Sequence, residues 1–379
     1  MGLSNKQRFL KALQREKPDR LPVANHFVMP SFLKKYMNGI GVEEFFDITG
    51  VDPILWTIAH KGNASNGEYY DPLQKEISFL ESRRISSDQW RIYAEDFQAA
   101  YPSTRYRFVT PGGTLTMTLQ HDEHSSWVTE HLIKEKKDID LIAKYATQPL
   151  CDVDDINRQA EAYGERGLVR GWICCFDIFG QPGTWQDACC LHGVENMIMA
   201  TYDDPEWVHE FLGILFQRKA NYIRSLKGAR YDIHELGGGD ASSTVINPFI
   251  FDNFVAPYDS QLISLLHDAG QRVSYHTCGG MMPFLERIAA MGPDAMETLT
   301  PPAMGGDVIL SEVKRRVGDK VCLIGGFDQY NYLNNCSPET TRAAVRKCFQ
   351  EAGEGGGYIL CTSDNYFIAE PELIKAYAD

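Results

Sequence analysis

Short apolar, β-branched runs alternate eight times with longer segments of helical periodicity, and this alternation narrows the folds open to the 379-residue chain. The runs lie near residues 21–27, 53–58, 168–175, 231–236, 272–276, 295–299, 321–325 and 358–361. Helical patterns fill most of the gaps, at 205–227, 248–269, 282–291, 307–317 and 338–352. The local signals agree: Ser337-Pro338-Glu339 supplies an N-cap, a proline at the first helical position and an early acid, and Glu354-Gly355-Gly356 stops the same helix. Eight strand–helix repeats are the pattern of a (β/α)8 TIM barrel in the α/β class, with a doubly wound open sheet as the alternative. One barrel domain is expected to span residues 1–379.

One stretch departs from the alternation. Residues 73–133 read as antiparallel strands at 86–94, 105–109, 114–119 and 126–132, with Pro111-Gly112-Gly113 as a turn. This is expected to be a β-rich insertion between the second and third barrel strands.

Composition limits the partners. A net charge of −14 opposes binding to a nucleic-acid backbone. No run approaches the roughly 18 apolar residues of a membrane helix, and the N-terminus lacks the apolar stretch of a signal peptide. Ten cysteines without such a signal point to reduced thiols and a cytoplasmic location.

In a barrel of this kind the chemistry lies at the carboxyl ends of the strands. His276 and Cys278 end the fifth strand and Cys361 ends the eighth. Gly279-Gly280 lets the backbone turn sharply just after the His-x-Cys pair. One imidazole and two thiols, with no obvious fourth protein ligand, form a candidate zinc site with an open position, the kind that does chemistry. The same rim carries His26, Asp177, Glu235, Asp240, Glu297 and Asp328. Glu235 or Asp240 is a candidate fourth ligand or acceptor for the ligating imidazole, and Asp328 and Glu297 are candidate proton donors or orienters. His26, Asp177 and Glu297 are candidate substrate contacts.

The segments Arg8-Phe-Leu-Lys-Ala-Leu13, Lys17-Pro-Asp-Arg-Leu-Pro-Val23, Ile246-Asn-Pro-Phe-Ile-Phe251, His267-Asp-Ala-Gly270 and Ile324-Gly-Gly-Phe-Asp328 resemble the uroporphyrinogen decarboxylase superfamily. Within it, His-x-Cys followed by a distant Cys is similar to the zinc-dependent corrinoid methyltransferases, a branch that includes methylcobamide:coenzyme M methyltransferases and demethylating relatives. The resemblance implies a TIM barrel and zinc held by His276, Cys278 and Cys361. It also implies methyl transfer between a small heteroatom substrate and the cobalt of a corrinoid (cobalamin) carried by a partner protein. The chain departs from the decarboxylase itself: the stretch after the first strand, Asn25-His-Phe-Val-Met-Pro-Ser31, has no arginine to hold a polycarboxylate. Aromatic residues of the insertion, Tyr69, Tyr70, Trp90, Tyr93, Tyr101, Tyr106 and Trp127, tilt the expectation towards an O-demethylase of a methoxylated aromatic donor. The alternatives are a coenzyme M type thiol methyltransferase and a metal-independent lyase of the decarboxylase type.

Overall fold

A computed structural model describes residues 2–71 and 84–379. All eight apolar runs form strands: β1 Val23–Ala24, β2 Ile54–Trp56, β3 Leu168–Trp172, β4 Ile233–Gly237, β5 Val273–His276, β6 Ala295–Thr298, β7 Cys322–Phe327 and β8 Tyr358–Thr362. They pair in parallel in the order β1-β8-β7-β6-β5-β4-β3-β2, a nearly closed barrel flanked by helices. Most strands are shorter than the apolar runs that predict them: the runs at 21–27, 53–58, 168–175 and 295–299 continue past the strand into the turn at the rim, while those at 231–236 and 272–276 begin before it.

Alternation sorts the strand residues between two environments. Ala24, Ile54, Leu168, Ile233, Ala295, Cys322, Ile324, Ile359 and Cys361 form one inward cluster, while their neighbours Val169, Leu236, Val273, Met296, Leu323 and Leu360 pack outward against the helices. The helix Asn5–Leu13 joins the inward cluster through Phe9, Ala12 and Leu13. A capping box between Ser4 and Gln7 fixes its start. The interior is therefore a packed core on one side, and only the opposite end of the strands is left for polar residues.

The helical predictions hold with shifted ends. Residues 205–227 give the helix Pro205–Arg224, and Ser337 caps Pro338–Cys348 by accepting from the Thr340 amide. The helix expected over 248–269 is interrupted. Pro257 has no N–H to donate to the preceding turn, so the backbone widens over Phe251–Val255 and Ala256 donates to the Phe251 carbonyl. The regular helix resumes at Ala256–Asp268.

The insertion is a four-stranded antiparallel sheet of Arg91–Gln98, Pro102–Thr110, Gly113–His121 and Ser126–Glu130. The expected turn joins Thr110 to Gly113, and Thr110 Oγ1 accepts from the amides of both glycines there. Residues 73–83, where the insertion was expected to begin, lie outside the described residues.

One outward contact yields a test of the packing behind β5. Tyr275 donates to Asp259 on the helix Ala256–Asp268 at 2.9 Å, and both are buried. Burial pushes the Asp259 carboxyl from its ordinary 3.8 up to about 6. The folded state then keeps a proton that the unfolded chain releases at lower pH. This contribution to stability is complete below about pH 4 and disappears as the pH rises through 6. Urea unfolding from pH 4 to 7 is expected to show the native protein losing stability relative to Asp259→Asn up to about pH 6, then running parallel to it. Parallel curves over the whole range would contradict this.

Candidate active site

The inward positions at the carboxyl end of the barrel carry charge. Arg170 on β3, Glu235 on β4, His276 on β5 and Glu297 on β6 all point inward, and His26 follows β1. Each is at most 7% exposed. The register places them side by side: His276 is level with Glu297 across β5–β6 and with Gly237 across β4–β5.

Arg170 organises this group. Its guanidinium donates to Glu235 Oε2 at 2.6 Å and forms an ion pair with Glu297. It also stacks over the Trp56 ring, 4.2 Å from the centroid. Burial opposes charge on Glu297, yet Arg170 and His276 hold its carboxyl well below the usual carboxylate range. Burial wins at Glu235, which is pushed up to about 7. His26, 3.8 Å from Glu235, is lowered to about 3 by burial and by His276, so it is a neutral imidazole.

The His276 ring faces two ways. Nδ1 donates to Glu297 Oε1 at 3.2 Å, while Nε2 lies 2.7 Å from Cys278 Sγ. Burial opposes its charge, yet Cys278 and Glu235 raise the His276 imidazole well above its ordinary range, so Nε2 also carries a proton towards the thiol, and loss of that proton is what would free it to ligate a metal. Cys278 Sγ in turn lies 3.3 Å from Asp364 Oδ2, in the loop after β8. Cys361 is buried on the inward face of β8, within electrostatic reach of Glu297, Arg170 and Asp364. Burial pushes the Cys278 thiol up to about 11 and Cys361 up to about 12, so each thiol needs a cation at hand before it ionises.

Two donor sets can therefore be drawn. The ligand atoms of His26, Glu235, His276 and Glu297 lie within 4.8 Å of one another. That set already surrounds the guanidinium of Arg170, and a dication there would meet a fixed positive charge on the two carboxylates it needs. On the sulfur side the structure joins His276 Nε2 to Cys278 Sγ, an imidazole and a thiol of the kind zinc takes, while no group of three ligand atoms among the described residues includes Cys361. Glu297 Oε2 has no hydrogen-bond partner among the described residues and is the open acceptor of the group.

The other rim carboxylates are engaged elsewhere. Asp177 accepts from Arg218 at 3.1 Å, Trp90 at 3.2 Å and Thr147 at 3.3 Å, tying the insertion to the helix Pro205–Arg224. Asp240 accepts from Gln186 at 2.6 Å, beside the turn Gly237–Gly239. Asp328 caps the short helix Gln329–Tyr332 and holds Asn331. Sequence reasoning missed Arg170 and Asp364. Arg170 had a signal, a lone charge at an inward position of the apolar run Leu168-Val-Arg-Gly-Trp172; Asp364 had none beyond its closeness in sequence to Cys361.

The insertion and the loops after β1 and β3 line an open cleft of about 790 Å³, and none of His26, Glu235, His276, Cys278, Glu297 and Cys361 is among its lining residues. Phe97, Tyr106 and Phe179 are among its lining residues, as are Asp96, Asp122, Glu123, His121 and His124. No lysine or arginine is among its described lining residues. Trp90 is buried in the core behind it, and Tyr69, Tyr70, Tyr93 and Tyr101 are exposed on the surface.

The model of the family described as Uroporphyrinogen decarboxylase (URO-D) matches residues 180–371, just over half of the chain. The chain belongs to the URO-D family. Its relatives include the uroporphyrinogen decarboxylase of Thioalkalivibrio sulfidiphilus, 28% identical over 186 residues, which covers 47% of this chain and 49% of the relative. That of Pseudomonas entomophila is 28% identical over 239 residues, 59% of this chain and 63% of the relative. The chain thus spans about half to two thirds of the length of these curated relatives. Among solved structures, a methyltransferase from Methanosarcina mazei shares the fold over 99% of this chain and 97% of its own, with a TM-score of 0.58 and 16% identity. Among the described residues, no helix of this URO-D family member is long and apolar enough to cross a membrane.

The role of Arg170 is testable without a ligand. Arg170→Met leaves two buried carboxylates without their cation and is expected to cost about 3–5 kcal/mol in urea unfolding. Adding Glu297→Gln to that variant removes one stranded charge and is expected to recover part of the loss. Simple additivity of the two losses would contradict the clamp.

Proposed function

We propose that this chain is a zinc-dependent methyltransferase that moves a methyl group between a small heteroatom substrate and the cobalt of a corrinoid borne by a partner protein. The observation that carries the reading is the orientation of His276, with Nδ1 on Glu297 and Nε2 facing Cys278. In this reading His276, Cys278 and Cys361 hold zinc, which when bound supplies Lewis acidity towards a substrate heteroatom.

The chain's own groups supply the rest. Arg170 keeps Glu297 ionised, and Glu297 keeps the His276 ring fixed. Glu235, raised to about 7, holds a transferable proton beside neutral His26. The packed core below the charged group keeps water from that side.

The cleft bears on the substrate. Three carboxylates and no lysine or arginine among its described lining residues disfavour a polycarboxylate porphyrinogen and a sulfonate-bearing thiol. Phe97, Tyr106 and Phe179 provide aromatic surface for a neutral methoxylated arene. The demethylating direction is therefore preferred over coenzyme M type methylation, and both over the lyase.

The test is methyl transfer from a panel of methoxyarenes, methylamines and methyl thioethers to free cob(I)alamin by the zinc-loaded chain. Turnover of a methoxyarene is expected, with Cys361→Ser lowering zinc affinity or rate by about 10–100-fold. Turnover only of methylcobalamin with a thiol would reverse the direction. A Cys361→Ser variant indistinguishable from the native chain in zinc content and rate would sink the metal reading.

A further inference from the structure

We propose that the open seam between β1 and β2 is a binding site for a small neutral molecule that carries one hydrogen-bond donor on an apolar body, with phenol as the simplest aromatic example. The site lies at the side of the barrel and does not depend on the metal reading.

The barrel does not close on itself. β1 pairs with β8 and β2 with β3, and no ladder joins β1 to β2 among the described residues. The two strands are fastened only near their ends. At one end the Val23 amide donates to Asp52 Oδ2 at 2.9 Å, and the Asp52 amide donates to the Val23 carbonyl at 2.8 Å. At the rim Trp56 Nε1 donates to the His26 carbonyl at 2.8 Å. Asn25, Ile54 and Leu55 fall between these fastenings and line a cavity of about 200 Å³, completed by the loop after β1 and the helix Val42–Thr49. Val42 lines it too and is 38% exposed, so the cavity opens to solvent on that side.

The lining selects the occupant. Asn25 is 4% exposed, and its Nδ2 donates to the Tyr366 hydroxyl at 2.8 Å, which fixes the amide. Its Oδ1 has no hydrogen-bond partner among the described residues. A buried carbonyl oxygen without a donor is costly, and a donor entering the cavity removes that cost. A lone water is a poor match, since it needs about 2–4 polar partners. The wall is chiefly apolar, with Phe27 and Trp56 stacked at 4.1 Å beside Phe46, Ile54 and Leu55. Glu43 is the only Asp, Glu, Lys or Arg among the described lining residues, and Arg166 binds its carboxylate, so no free charge awaits an ion. An apolar cavity of roughly 150 Å³ already holds benzene, so one ring bearing a hydroxyl fits here.

The seam adjoins the charged group without belonging to it. Trp56 lines the cavity and also carries the Arg170 guanidinium 4.2 Å from its ring centroid. An occupant therefore touches the ring on which Arg170 stacks. Under the demethylating reading, on which this last step rests, the occupant is the phenol that a methoxyarene leaves behind, since the phenol has the donor that the ether lacks.

The experiment uses the full chain with 4-fluorophenol and 4-fluoroanisole as probes, their binding read by fluorine NMR. The phenol is expected to bind about tenfold more tightly than its methyl ether. Val42→Trp fills the opening from a partly exposed position and is expected to abolish binding of the phenol. Asn25→Leu is expected to bring the two affinities together; should that variant fail to fold, Val42→Trp decides alone. Equal affinity of phenol and ether for the native chain would overturn the proposal. So would phenol binding that survives Val42→Trp unchanged, which then lies elsewhere on the molecule. Selective phenol binding at the seam of a chain that transfers no methyl group would uphold the site and remove the demethylating reading of its occupant.

Discussion

The site depends on one buried cation. Arg170 lies inside the barrel between Glu235 and Glu297, where an unpaired charge would be prohibitively costly, and the three groups are stable there only together. Its presence settles several things at once. It keeps Glu297 ionised, which turns His276 so that Nδ1 faces inward and Nε2 faces Cys278. It leaves Glu235 as the carboxyl that takes up a proton near neutrality. It also stands in the middle of the His26, Glu235, His276 and Glu297 group as an internal counter-ion.

The fold supplies the frame for that arrangement. Below the charged layer the barrel is filled by aliphatic side chains and closed by the helix Asn5–Leu13, which makes the strand ends rigid mounts for the polar groups. The insertion sheet lines a separate acidic, partly aromatic cleft with the loops after β1 and β3. Asp177 couples the two by joining Trp90 of the insertion to Arg218 of the helix Pro205–Arg224. A strand-end carboxylate can thus serve as a structural pin at the same rim where another serves chemistry.

Much of the barrel was legible because parallel strands buried on both faces are continuous apolar runs, and all eight stand out between helical periodicities. Their ends were less legible, since several of the apolar runs continue into the turn at the rim and others begin before the strand. The interruption before Pro257 was missed because the amphipathic pattern runs through it unchanged; what differs is a single absent N–H. At the site, His276, Glu297, Glu235 and His26 were expected at one rim and do meet there. Arg170 escaped because a charge in an apolar run acquires meaning only once the register shows that it points inward at two carboxylates. Asp364 escaped because its contact with Cys278 joins two loops that are distant in sequence. Asp177 and Asp328 read as site residues from position alone, whereas hydrogen bonds to Trp90, Arg218 and Asn331 engage their carboxylates.

In the proposed reading the guanidinium of Arg170 keeps a metal off the carboxylates and on the thiols. Zinc K-edge X-ray absorption of the loaded chain tests it most directly, because sulfur and oxygen or nitrogen neighbours are distinguished by distance. Two sulfur neighbours at about 2.3 Å together with imidazole nitrogen are expected. A shell of nitrogen and oxygen alone, as His26, Glu235, His276 and Glu297 would provide, would contradict it.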